Sequence, residues 1–133
     1  MEAAQNQGRL RQTIMGTAEA TGRYVKQTCG PGIFAIVRLR VEPLAGSDGV
    51  EFINTLSEEI LPSEFVKFTE QGVRQTLAQG IQEGVPVVAV RVTLVDGRYH
   101  EVDSRQRDFE VAGALAVKEA VRQAQPIVIE LDK

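Results

Sequence analysis

The segment between Ile33 and Glu42 constrains the fold more than any other part of this sequence. Its apolar residues recur at every second position, at Ile33, Ala35, Val37, Leu39 and Val41. Charged residues alternate with them at Arg38, Arg40 and Glu42. A period of two sends successive side chains to opposite faces of a strand. The segment is therefore predicted to be a β-strand with one face buried and the other in water.

The remaining segments extend this strand into an α+β fold. Further strands are predicted over residues 12–20, 23–28, 50–56, 85–95 and 127–131, and helices over 64–79 and 106–123. Turn residues predict a hairpin at Thr21-Gly22 and a tight turn at Asp96-Gly97, while Ser63 is the expected N-cap of the first helix and Gly80 its stop. The order β-β-β-β-α-β-α-β favours a mostly antiparallel sheet of four or more strands, with both helices on one face.

Length and charge describe one domain with an uneven surface. The 133 residues suit a single core, with residues 1–11 as a disordered lead-in and 12–133 as the domain. Residues 9–41 carry a net charge of +5 and residues 42–90 a net charge of −6. This asymmetry is compatible with one face that meets phosphate, and equally with an ordinary mixed surface. A lone cysteine, Cys29, and the lack of a signal core or apolar span favour the cytoplasm and no membrane.

Motifs that carry catalytic chemistry are missing from the sequence. It has no Walker phosphate loop and no nucleophile elbow. One histidine and one cysteine, far apart, provide no zinc spacing. The adjacent Glu58 and Glu59 are best read as a solvated pair. We therefore expect a protein that is not an enzyme and that has no cofactor and no metal.

Four stretches resemble domain IV of elongation factor G. They are residues 19–27, residues 52–54 together with 60–64, residues 84–97, and residues 99–104 followed by Phe109. The resemblance implies a ribosomal-protein-type domain 2-like fold, a small α+β sandwich with a left-handed βαβ crossover. This fold is shared with a small-subunit ribosomal protein and with the ribonuclease P protein.

The resemblance also implies a function in translation. Domain IV imitates the anticodon arm of transfer RNA, and its tip enters the decoding site of the small ribosomal subunit during translocation. The expected partners are ribosomal RNA of that subunit and the messenger–transfer RNA pair, with GTP engaged only through domains that this sequence does not contain. The implied tip residues form two loops: Gly30, Pro31 and Gly32 in the first, and Arg98, Tyr99, His100, Glu101, Asp103 and Ser104 in the second.

Two further expectations concern the surface around the tip. The loops are expected to lie side by side at one end of the molecule, far from Ser63 and Asp48. A basic patch for RNA is expected from Arg23, Lys26 and Arg38. The first loop lacks the arginine that the family carries there. This leaves open a stand-alone paralogue that contacts protein or homodimerises, for example through an exposed Ile33 and Phe34.

Overall fold

A computed structural model describes residues 10–26, 32–82 and 84–130 of the chain. Within these described residues, six strands and two helices follow one another in the predicted order. The strands are β1 (Leu10–Ile14), β2 (Ala18–Lys26), β3 (Ile33–Pro43), β4 (Val50–Asn54), β5 (Val90–Tyr99) and β6 (Pro126–Glu130). The helices are α1 (Ser63–Gln79), between β4 and β5, and α2 (Gln106–Gln123), between β5 and β6.

Four strands form the main sheet, in the order β2-β3-β5-β4. The β2–β3 and β3–β5 pairs are antiparallel, and β4 lies parallel to β5. The predicted α+β class with a mostly antiparallel sheet is thus confirmed. Strand β4, helix α1 and strand β5 make up a βαβ unit, whose left hand stays a prediction of the resemblance. Strands β1 and β6 pair antiparallel in a separate ribbon.

The helices cover one face of the main sheet. Alternate residues of β3 are fully buried beneath them: Ala35, Val37, Leu39 and Val41. The period-two prediction for this strand is confirmed, because Arg38 and Arg40 lie on its other face and are ion-paired there. That second face of the sheet has no helical layer, so it presents its side chains to solvent.

The predicted hairpin at Thr21-Gly22 is wrong, because β2 runs straight through both residues. Gly22 is instead a packing position, since a side-chain carbon there would overlap the carbonyl oxygen of Ala112 in α2 and lie 2.8 Å from the amide nitrogen of Ala116. Strand β1 pairs with β6 rather than with β2. It begins at Leu10, inside the predicted lead-in, and the residues before it lie outside the described part.

The predicted tight turn at Asp96-Gly97 is also wrong. Strand β5 continues through both residues to Tyr99, and a register shift opposite Arg38 and Leu39 absorbs one extra residue. Gly97 is buried, and a side-chain carbon there would lie 2.9 Å from Cδ2 of Leu61. The glycine therefore serves close packing, and the strand reaches the end of the molecule without a break.

The remaining boundaries differ in smaller ways. Strand β5 begins at Val90 rather than Val85, because Ala89 has a left-handed φ of 61° that interrupts the extended chain. Helix α1 has Pro62 at its N-cap with no side-chain cap, so Ser63 is the first helical residue and not the cap. Gly80 ends the helix as predicted, with a φ of 91°. Among the described helices, none is long and apolar enough to cross a bilayer.

Candidate nucleic-acid interface

Two chain segments meet where β5 ends. The described part of the first loop begins at Gly32, and an ideal side-chain carbon there would lie 3.0 Å from the carboxylate carbon of Asp103. Gly32 is thus packed beside the second loop. Gly30 and Pro31, which are predicted for the same tip, lie outside the described residues.

His100 is held at this end by an aromatic contact. Its imidazole stacks on the ring of Phe34, with centroids 4.0 Å apart and planes inclined by 5°. Nδ1 lies 3.7 Å from a carboxylate oxygen of Asp103, and the histidine side chain is 51% exposed. The stack orders the ring while half of its surface still faces solvent. Such a ring is a platform on which another planar group can stack.

Ser104 ties the two segments together by hydrogen bonds. Its hydroxyl donates to the carbonyl oxygen of Phe34 at 2.7 Å and accepts from the backbone N–H of His100 at 2.8 Å. Its own N–H donates to the carbonyl oxygen of His100 at 2.9 Å. The loop after β5 is therefore closed on itself and anchored to β3. We call this arrangement of Phe34, His100 and Ser104 the tip latch.

The other predicted residues of the second loop divide between the core and the surface. Tyr99 faces the helical layer, with its ring 5.5 Å from that of Phe65, and packs against the core. Arg98 and Glu101 are exposed, and Asp103 is half-buried beside Gly32. Tyr99 thus supports the tip from inside, while Arg98, His100 and Glu101 are the residues that a partner can reach.

One expectation about distance is wrong. Helix α1 begins at the tip end of the sheet, because Phe65 contacts Tyr99 and Glu64 accepts a hydrogen bond from Gln106 at 3.2 Å. Ser63 therefore does not lie far from the tip. Asp48 agrees with the prediction, since its neighbour Gly49 is hydrogen-bonded to the residues at the opposite end of β5.

The predicted basic patch does not form one surface. Arg23 and Arg38 project from the open face of the sheet. Lys26 is displaced from Arg23 by an odd number of positions, so it belongs to the opposite face. Its ammonium lies 5.6 Å from the centroid of the Tyr24 ring. Two of the three predicted residues can act together, and the third cannot.

Ion pairs engage several arginines of the open face. Glu19 accepts from Arg38 at 2.8 Å and from Arg40 at 2.9 Å, and these hydrogen bonds lower the pKa of its carboxyl group below the usual range. Arg91 donates to Glu51 at 2.7 Å and to Glu42 at 3.0 Å, which raises the pKa of its guanidinium. These pairs leave little net charge along that part of the sheet.

A shallow hollow lies on the same open face. Its volume is about 190 Å³, and its lining residues are Thr21, Ile36, Arg38, Asp96, Gly97 and Arg98. A larger groove of about 370 Å³ runs between α1 and α2, on the opposite side of the molecule. Of the two, the hollow carries the arginines and lies next to the tip. In the described part of the chain no group of three histidine, cysteine or carboxylate side chains could hold a metal ion.

Most of the chain, including both tip segments, matches one known protein family. Residues 7–125 match the family profile named elongation factor G, domain IV. The chain belongs to this family. The matched range includes β1 to β5, both helices and every predicted tip residue, so the resemblance predicted from four short stretches is confirmed.

Domain IV is a translation-factor domain and a non-catalytic part of its family. A crystal structure of a protein from Thermus thermophilus is 36% identical in sequence, with a TM-score of 0.78. The match covers 90% of this chain and 18% of that chain. This chain thus spans under a fifth of the length of that relative, and it shares the fold of the segment it matches.

Sequence reasoning found His100 and Ser104 but missed the part that Phe34 plays. The sequence suggests Phe34 as an exposed contact residue, yet it is only 9% exposed because the imidazole covers it. The antiparallel register of β3 and β5 brings the two residues to the same level. That register depends on the extra residue near Val95, and no sequence pattern showed it.

Proposed function

We propose that this domain IV binds the small ribosomal subunit through its tip, at the decoding site, during translocation. The observation that carries the proposal is the tip latch. Phe34 and Ser104 hold His100 in a fixed, half-exposed position at the far end of two long strands. A fixed aromatic ring loses little conformational entropy when it meets RNA, which favours binding.

The partners of the proposed tip are ribosomal RNA and the messenger–transfer RNA pair, met in the cytoplasm. The imidazole offers a face for stacking on a base, and single-stranded RNA is commonly read by such stacking. Arg98 offers a cation to phosphate. Gly30, Pro31 and Gly32 complete the proposed tip, together with Glu101 and Asp103. Domain IV needs no cofactor for this role, and GTP acts through domains outside this sequence.

The basic residues Arg23, Lys26 and Arg38 belong to the proposal as a secondary RNA surface. Arg23 is exposed on the open face, and Arg38 lines the hollow beside Arg98. Lys26 can contribute only from the opposite face. The alternative of a protein-binding or homodimerising tip rests on an exposed Ile33 and Phe34, and Phe34 is only 9% exposed; the exposed apolar side chain of the second loop is instead Val102, which is 91% exposed.

Co-sedimentation with small ribosomal subunits tests this function. We expect the wild-type chain to bind, with affinity that falls steeply as salt rises, because counterions are released from phosphate. His100→Ala should weaken binding, whereas Gln71→Ala, an exposed change on α1 away from the tip, should not. Equal binding by the two variants would reject the tip as the contact surface.

A further inference from the structure

The open face of the sheet carries a second feature, which extends from the tip. The register of three adjacent strands places Arg23, Ile36 and Arg98 in one row, with Arg23 opposite Ile36 and Ile36 opposite Arg98. Strands in a sheet lie about 4.8 Å apart, so the two arginines emerge about 10 Å from each other on either side of β3. We call Arg23 and Arg98 the arginine row.

The arginine row differs in charge from the other arginines of this face. Arg38, Arg40 and Arg91 are each engaged by a glutamate. Arg23 and Arg98 are both exposed, and neither forms an ion pair with any residue that the structure describes. Their positive charge is therefore available to an outside anion. Ile36, which lies between the two arginines, is apolar and adds no negative charge that would repel an anion.

The rows on either side make this position part of a continuous surface. Toward the tip, the next row holds Val25 opposite Phe34, with His100 stacked on Phe34. Away from the tip, the next row holds Thr21, Arg38 and Asp96, and all three line the 190 Å³ hollow. An aromatic platform, a pair of cations and a hollow thus follow one another across the sheet.

We propose that the arginine row clamps the phosphodiester backbone of an RNA strand that leaves the tip and crosses the open face of the sheet. The proposal rests on the function proposed above. It adds the route of the RNA strand across the sheet and the side chains that bind its phosphates. Each guanidinium presents several N–H donors to phosphate oxygens from its own side of β3. The hollow takes the sugar or the base of a nucleotide, because the carboxylate of Asp96 and the hydroxyl of Thr21 in its lining can accept their N–H or O–H donors.

The test compares arginines on the same face with the same change of charge. Arg23→Gln, Arg98→Gln and the double variant are measured against Arg91→Gln, the control, since Arg91 is already held by Glu42 and Glu51. Binding to purified small ribosomal subunits is titrated at several salt concentrations. Each phosphate contact contributes about 0.7 to 0.9 to the slope of log affinity against log salt. We expect each single variant to lower the slope by about that amount and the double variant by about twice as much.

The outcomes separate the clamp from the tip. If wild-type protein fails to bind the subunits, the proposed function itself falls. If it binds, and the Arg23 and Arg98 variants keep the slope of the Arg91 variant, the clamp is overturned and the tip proposal stands. Competition by polyglutamate as effective as competition by an unstructured RNA oligonucleotide would overturn RNA as the partner of this row. Thermal melting of the four variants should show midpoints indistinguishable from that of wild type, because exposed arginines and surface ion pairs contribute little to stability.

Discussion

Replacing Ser104 by alanine removes the side-chain hydroxyl that makes the two hydrogen bonds of the tip latch. The hydroxyl makes two hydrogen bonds, of 2.7 Å to Phe34 and 2.8 Å to His100. A protein hydrogen bond contributes about 0.5 to 1.5 kcal/mol net, so the pair is worth about 1 to 3 kcal/mol. Water can reach the half-buried site and replace part of this. We therefore expect the variant to lose about 1 to 2 kcal/mol of unfolding free energy.

Urea denaturation and thermal melting measure this loss. For a domain of this size, 1 kcal/mol corresponds to about 4 °C in Tm, so Ser104→Ala should melt about 4 to 8 °C lower. Ser104→Thr keeps the hydroxyl and should recover most of the difference. Ser47→Ala is the matched control, because its hydroxyl accepts only a local, exposed hydrogen bond from Gly49. A Ser104→Ala variant as stable as the Ser47→Ala variant would show that the latch does not hold the tip.

Three further predictions concern packing, charge and nucleotide. Gly22→Ala should cost about 1 to 3 kcal/mol in urea denaturation, since the new methyl group meets helix backbone that cannot rotate away; Gly49→Ala, with only a side-chain atom at 3.5 Å, should stay within about 0.5 kcal/mol. Because the folded pKa of Glu19 is lowered, its ionised form contributes stability above the usual value of 4.5. The stability difference between wild type and Glu19→Gln should therefore shrink as pH falls through the lowered pKa, and a constant difference from pH 6 to pH 3 would contradict the assignment. The isolated chain should show no stoichiometric GTP binding by calorimetry, because no phosphate loop is present in its sequence.

Periodicity predicted the elements well because burial sets it directly. Helix α2 begins and ends at the predicted residues, 106–123, and α1 ends at Gln79 as predicted but begins at Ser63, one residue before the predicted start. The alternation in β3 reported correctly which face of the sheet is covered. In these segments the apolar side chains point toward one partner layer, and the sequence records that contact at regular intervals.

Two glycines that were predicted to lie in turns lie in strands, and the physical reason is the same for both. Gly22 and Gly97 have the sequence context of turn residues, yet both lie inside strands. Each is needed because another part of the chain approaches too closely for a side chain, the backbone of α2 in one case and Leu61 in the other. A turn glycine and a packing glycine have the same letter, and only tertiary contacts distinguish them.

The sequence indicated candidate residues for the site but did not indicate which of them contact one another. His100 and Arg98 were found by resemblance, whereas the pairing of Phe34 with His100 and the ion pair of Arg38 required the register of the sheet. A one-residue shift in register reverses the face to which every side chain points. The extra residue in β5 is such a shift, so position in the sequence could not decide which arginines share a surface.

The uninterrupted course of β5 changes how the tip can work. A turn at Gly97 would have made the segment from Arg98 to Ser104 a separate loop, free to move relative to the sheet. Instead the strand carries the chain directly to His100, and Ser104 fastens the segment to β3. The position of the imidazole is therefore supported by the backbone hydrogen bonds between two long strands and by the helices that pack behind Tyr99. Such a tip suits the function proposed above, in which it keeps its shape against RNA, and the strand places the arginine row at a fixed distance behind the His100 ring.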